Sequence, residues 1–182
     1  MKKVLLIVVL AIGILVALFF ALNAYIYSEK QGDGLPQDFK EVTFTISGEP
    51  VSLKDGVAQA RTNLGGDALT TITYFGNEIA HDVDGDGIED MVFLITQETK
   101  AGNEYFYLAA ALKRDDGYVG SQAVLIGDRI KPQSTDKGEG RSVIVNYVEA
   151  ARPETGRSLH LLLDVDTLEF GELVQDFEGE SR

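Results

Sequence analysis

Hydrophobic and polar residues alternate along much of this chain with the two-residue period that is typical of β-strands. In VTFTI, the apolar side chains of Val42, Phe44 and Ile46 fall on one side and two threonines fall on the other, as in a strand with one buried face. The segment LTTITYF, which begins at Leu69, is rich in the β-branched and aromatic residues that strands favour. These patterns predict strands that cover a core with one face.

Two segments in the middle of the chain are apolar at consecutive positions instead. They are MVFLIT, from Met91, and YFYLAAAL, from Tyr105 to Leu112. A strand that is covered on both faces has no polar side, so MVFLIT predicts a central strand. The alanines of YFYLAAAL also suit a helix, but its aromatic residues and the Asp-Asp-Gly turn at 115–117 favour a strand.

Turn-forming residues separate the predicted strands. Asp55-Gly56, within VSLKDGVA, supplies the positive-φ residues that a tight hairpin needs. The segment KPQSTDKGEGR is rich in turn residues and is expected to connect strands, whereas LLLDVDTLEF, with Asp164 and Asp166, is interpreted as a strand that runs into a turn. The remaining strand candidates are YVGSQAVLIG, SVIVNYV and SLHLLLDV.

The fold class follows from this series of short strands, because no segment shows the periodicity of an amphipathic helix. We expect an all-β domain, either a sandwich or a curved antiparallel sheet of about eight or nine strands.

The N-terminus has a different pattern. Lys2 and Lys3 precede 19 uncharged residues, 4–22, which as a helix of roughly 28 Å would cross a bilayer core. Lysines retained in the cytoplasm would place the rest of the chain outside the cell membrane. The alternative is a cleaved signal peptide, but its apolar region is usually ~7 to 15 residues, and Leu22 stands where the cleavage site requires a small residue.

These patterns divide the chain into four predicted segments. They are a transmembrane signal anchor at 1–27, a polar tether at 28–40, an extracytoplasmic β domain at 41–176 and an acidic tail at 177–182. The expected location is the cell membrane, with a single pass and with the C-terminal domain in the periplasm or on the cell surface.

The charge of the exported part narrows the class of partner. The whole chain carries 16 basic and 29 acidic residues, a net charge of -13. The first 30 residues contain three lysines and one glutamate, so residues 31–182 carry 13 basic and 28 acidic side chains, a net charge of -15. Nucleic acid and anionic membrane surfaces would repel such a domain, so cations and basic proteins are the expected partners. The absence of cysteine excludes disulfides, thiolate metal sites and a cysteine nucleophile.

The segment DVDGDGIED, residues 82–90, has the spacing of a calcium-binding loop. Aspartates occupy loop positions one, three, five and nine, a glycine at position six allows a sharp turn, and the carbonyl of position seven can act as a ligand. A solvated acidic hairpin without a metal is the alternative interpretation. The predicted Ca²⁺ ligands are Asp82, Asp84, Asp86, the Ile88 carbonyl, and Asp90, directly or through water.

The loop departs from the EF-hand at position twelve, where Phe93 replaces the bidentate glutamate. It resembles instead the DxDxDGxxD loops of integrin-type FG-GAP repeats, in which a strand follows the loop, and this resemblance implies the same ligand set. Because the motif occurs once, a repeat propeller is not expected. Over a longer range, Tyr74 to Tyr147, the chain is similar to membrane-anchored bacterial envelope proteins, a resemblance that implies no activity or catalytic residue.

The sequence offers no catalytic motif of the common hydrolase, zinc-protease, P-loop or dinucleotide-binding types. We therefore expect a structural or binding domain, stabilised by Ca²⁺, rather than an enzyme. Two alternatives stay open. One is an inhibitor or ligand of a basic cell-wall enzyme such as lysozyme, which the acidic charge favours; the other is an envelope glycan hydrolase, for which abundant carboxylates are the sole indication.

His81, just before the loop, is either a group that supports the metal ligands or a flanking residue without a role.

Overall fold

The computed structural model describes residues 35–62 and 68–173, and within these ranges the chain is all-β. A short 3₁₀ helix at Phe39–Glu41 precedes twelve strands. The strands are β1 (Thr43–Ile46), β2 (Glu49–Ser52), β3 (Val57–Ala60), β4 (Thr70–His81), β5 (Asp90–Glu98), β6 (Glu104–Arg114), β7 (Gly117–Gly120), β8 (Gln122–Asp128), β9 (Ile130–Lys137), β10 (Val143–Glu149), β11 (Arg152–Asp164) and β12 (Glu169–Glu172).

The predicted all-β class is therefore confirmed, and the strand count is higher than the expected eight or nine. Five of the strands, β1, β2, β3, β7 and β12, are only four residues long. The predicted anchor at 1–27 and the acidic tail at 177–182 lie outside the described residues. Among the described residues, no helix has the length and apolar character needed to cross a membrane.

The strands form two sheets. The larger sheet has eight strands in the order β2-β1-β8-β6-β5-β4-β3, with β7 paired to β6, and the smaller has the order β12-β11-β10-β9. The pairing of β1 with β8 is parallel, Thr45 with Gln122 and Ile46 with Ala123, while the other described pairings are antiparallel. The large sheet is thus mixed, which corrects the expectation of an antiparallel sheet. The strands between β1 and β8 supply the long connection that a parallel pair needs.

The predicted tight turn at Asp55-Gly56 brings the two ends of the large sheet together. Asp55 has φ 53° and Gly56 has φ 79°, and the turn is closed by a bridge between Lys54 and Val57. Since β2 and β3 are the terminal strands of the sheet path, this bridge makes the curved sheet nearly closed. A second turn of the same kind, which the sequence analysis did not identify, joins β1 to β2 at residues 47–48.

The central strands β5 and β6 are buried on both faces, as the consecutive apolar residues of β5 predicted. Phe93 and Ile95 point into the curve of the large sheet, where they pack with Phe44. Val92 and Leu94 point the other way and pack against the smaller sheet. The residues of the smaller sheet in this second core are Val143, Val145, Leu161, Leu163 and Phe170.

The segment KPQSTDKGEGR was predicted to be a turn, and this prediction is wrong for most of its length. Residues up to Lys137 belong to β9, and the turn is confined to residues 138–142. The strand is polar because most of its side chains face solvent, with Ile130 and Thr135 buried. Its backbone is nevertheless paired along β10, and this tertiary pairing overrides the weak strand propensity of the segment.

The last residues of the predicted tether, 35–40, contact the large sheet. The Tyr118 N–H donates to the Pro36 carbonyl at 2.9 Å, and the Gln37 side-chain amide donates to the Asp116 carbonyl at 2.7 Å. The ring of Phe39 lies 5.6 Å from that of Phe93, centroid to centroid. The segment that enters β1 is therefore attached to the domain by both hydrogen bonds and aromatic packing.

Burial of β5 on both faces predicts that two adjacent residues each stabilise the fold through a different core. We expect Phe93→Ala to lower the free energy of unfolding by about 3 to 5 kcal/mol and Leu94→Ala by about 2 to 5 kcal/mol. Urea denaturation followed by circular dichroism measures both. The matched control is Leu125→Ala, since Leu125 is 47% exposed and its loss should cost less than about 1 kcal/mol. A small effect at either Phe93 or Leu94 would contradict burial on two faces.

Candidate metal centre

The acidic loop connects β4 to β5 and is closed by the pairing of His81 with Asp90. The strand that follows is β5, the central strand that the consecutive apolar residues of MVFLIT predicted. The loop is therefore attached at one end to the half-buried end of β4 and at the other to the buried Asp90 of β5.

Two glycines give the loop its shape. Gly85 and Gly87 have φ angles of 82° and 87°, which side chains disfavour, so glycine is required at both positions. At Gly85 space is also limited, because a Cβ would lie 2.9 Å from Cδ of Arg141.

The carboxylates of Asp82, Asp84 and Asp86 converge. One oxygen from each lies within 4.8 Å of the other two. Backbone N–H groups hold them in place: Asp82 accepts from Gly85 at 2.7 Å and from Gly87 at 3.0 Å. The loop backbone thus fixes three of the predicted ligands on one side of the turn.

The other two carboxylates are held by the same kind of bond. The Asp86 N–H donates to Asp84 Oδ1 at 3.1 Å, and the Ile88 N–H donates to Asp86 Oδ1 at 2.8 Å. The side chain of Ile88 is exposed, and its carbonyl, the fourth predicted ligand, stays a prediction.

A guanidinium group partly neutralises the three carboxylates. Arg114 Nη1 lies 2.8 Å from Asp84 Oδ2 and 3.4 Å from Asp86 Oδ2. One positive charge faces three negative ones, so the group keeps a net charge of about -2. Like charges at this separation repel, which favours a cation between them.

Asp90 is placed differently from the other three aspartates. It is fully buried, and its two oxygens accept from the Val83 N–H at 3.1 Å and from the Lys113 N–H at 2.8 Å. Burial raises the pKa of Asp90 to about 6. The carboxylate thus joins the loop to β6 and lies outside the converging group of three; its role as a ligand stays a prediction.

Two arginines of this region were not identified from the sequence. Arg114 ends β6, and Arg141 lies in the turn between β9 and β10. Arg141 Nη1 donates to the carbonyls of Val83 and Asp84, each at 3.2 Å. No local pattern connects Arg141 with a loop more than fifty residues earlier, so only the tertiary structure identifies it.

His81 contributes no ligand to the group, and its Nε2 is buried without a hydrogen-bond partner among the described residues.

Comparisons of the chain with protein-family models, with curated proteins and with solved structures give no match. The resemblance to FG-GAP loops and to membrane-anchored envelope proteins therefore stays a prediction.

The two hydrogen bonds of Asp90 predict a large loss of stability on removal of one acceptor. In Asp90→Asn the amide NH₂ would face one of the two backbone N–H groups, leaving a buried donor without a partner. We expect the free energy of unfolding to fall by about 1 to 3 kcal/mol in urea denaturation with EDTA present. Asp116→Asn, at an exposed aspartate of the β6–β7 turn, is the control and should change it by less than about 0.5 kcal/mol. Equal effects of the two substitutions would show that Asp90 does not support the loop.

Proposed function

We propose that this protein is a membrane-anchored, extracytoplasmic structural or binding domain, in which a Ca²⁺ ion held by the β4–β5 loop stabilises the sheet. The observation that carries the proposal is the convergence of the Asp82, Asp84 and Asp86 carboxylates within 4.8 Å. The ion is structural, and the proposal assigns no catalytic step to it.

The chemistry of the loop suits a hard cation. Ca²⁺ takes six to eight oxygen ligands at about 2.3 to 2.6 Å and accepts carboxylates, carbonyls and water together. The three aspartates supply the carboxylates, and backbone carbonyls and water supply the rest. No thiolate is present in the chain, and the described residues of the group are all oxygen donors, which is the ligand set that Ca²⁺ prefers over softer metals.

Binding at this loop would stabilise the fold beyond the loop itself. The loop leads directly into β5, Asp90 connects it to β6, and Arg141 connects it to the smaller sheet. An ion that relieves the repulsion among three carboxylates therefore stabilises the junction of both sheets. For a Kd of ~0.1 mM and ~1 mM Ca²⁺ outside the cell, the gain is about 1.4 kcal/mol.

Metal removal tests the calcium site. Thermal unfolding of the full chain in dodecyl maltoside, followed by circular dichroism, should show a midpoint about 3 to 6 °C higher in 1 mM Ca²⁺ than in EDTA. The Asp84→Ala variant should lose this difference, because it removes a central carboxylate of the group.

The matched control for Asp84→Ala lies in the same loop. Glu89 is exposed and pairs with Lys137 at 3.0 Å, outside the converging group. Glu89→Gln therefore removes one negative charge but should keep the full response to Ca²⁺. A response that is absent from the unmodified chain, or that survives in Asp84→Ala, would exclude this site.

The proposed membrane orientation can be tested by labelling introduced cysteines. The chain contains no cysteine of its own, so each variant carries a single reactive thiol. A single cysteine at Gln133→Cys, an exposed position of β9, should react with a membrane-impermeant maleimide in intact spheroplasts. The control variant Lys3→Cys should react only after lysis, as expected for a cytoplasmic N-terminus. Labelling of Gln133→Cys only after lysis would contradict the proposed orientation.

A further inference from the structure

A cleft of ≈ 720 Å³ lies at the opposite end of the β9–β10 hairpin from the acidic loop. It opens between the β8–β9 turn and the β10–β11 turn, whereas Arg141, which contacts the loop, is in the turn between β9 and β10. Its volume is in the range of small-molecule binding sites.

The cleft is lined by apolar side chains together with two arginines and two carboxylates, those of Asp128 and Glu149. Ile126, Ile130 and Tyr147 line the floor, and Arg129 and Arg152 line the rim. The two isoleucines are almost fully buried and belong to the core between the sheets. The floor is thus part of the rigid domain, while the charged groups lie at the surface.

Arg129 is held in a strained backbone conformation at the rim. It is the single residue between β8 and β9, and its φ of 51° is uncommon for a residue with a side chain. The Arg129 carbonyl accepts from the Ala150 N–H at 2.8 Å, which ties the two turns together. The side chain lies 2.9 Å from the Asp128 carboxylate but remains 84% exposed. Conformations of this kind concentrate at functional positions.

Positive charge is in local excess around the cleft, although the chain as a whole is acidic. Glu149 is paired with both Arg152 and Arg157, and the hydrogen bond from Arg152 and the charges of both arginines lower the pKa of Glu149. The lining itself holds two arginines and two carboxylates, those of Asp128 and Glu149, and Arg157, which lies outside the lining, adds a third arginine through its ion pair with Glu149. The net charge here is about +1, in a chain with a net charge of -13.

We propose that this cleft binds a small amphipathic anion, whose apolar body packs on Ile126, Ile130 and Tyr147 and whose charged head is bound by Arg129 and Arg152. Guanidinium groups bind anionic oxygens with paired, charge-assisted hydrogen bonds. The existing ion pairs of the rim are solvent-exposed and weak, so an incoming anion can exchange with Asp128 at little cost. This site is independent of the calcium loop and of the proposed membrane anchor.

Two aromatic probes of equal size test the proposal. Naphthalene-2-sulfonate carries the anionic head, and naphthalene-2-sulfonamide is its neutral counterpart. Isothermal titration of the full chain in dodecyl maltoside should show saturable binding of the sulfonate at one site and at least about tenfold weaker binding of the sulfonamide. The δ1 methyl resonances of Ile126 and Ile130 should shift on binding, while that of Ile72, in the other core, should not.

The arginines are tested by a double variant. Arg129→Gln with Arg152→Gln should weaken sulfonate binding at least about tenfold and leave sulfonamide binding unchanged. The control is Lys131→Gln, which removes one positive charge from β9 at a residue outside the cleft lining. This substitution should change the affinity for the sulfonate less than about twofold. No saturable binding, equal affinity for the two probes, unshifted Ile126 and Ile130 methyls, or wild-type affinity in the double variant would each overturn the proposal.

Discussion

Strands β5 and β6 are buried on both faces, and the two sheets are arranged around them. Each strand separates two cores, one inside the curved large sheet and one beneath the smaller sheet. The middle of such a strand must be apolar on both faces, as Val92, Phe93, Leu94 and Ile95 are in β5, and other elements must cover it on either side. The curvature of the large sheet provides one cover and the smaller sheet provides the other, so the architecture follows from the need to bury these two strands.

The candidate metal centre depends on the same strands. Asp90 begins β5 and reaches the backbone of Lys113 at the end of β6, while Arg141 holds the loop to the turn of the smaller sheet. The three converging carboxylates are therefore presented by a rigid support, although the loop itself is exposed. A loop of this kind couples the occupancy of a cation site to the stability of the sheet junction, which is the physical basis of the proposed structural role.

Charge is distributed unevenly over the domain. In the acidic loop three carboxylates converge, Arg114 pairs with two of them and Arg141 donates to the backbone. Around the cleft at the other end of the β9–β10 hairpin, three arginines pair with two carboxylates. The net charge of -13 for the whole chain therefore does not give the local charge at either site. This difference in local charge is the basis for proposing a cation at the loop and an anion at the cleft.

Local periodicity and local spacing were enough to predict the all-β class, the central position of β5, the tight turn at Asp55-Gly56 and a loop in which several aspartates lie close together. Folding was needed to establish the parallel pairing of β1 with β8, the strand character of the polar β9, and the contacts of Arg114 and Arg141 with the loop. It also turned Asp90 toward two backbone N–H groups. These features depend on residues far apart in the chain, which are brought together when β5 and β6 are covered on both faces.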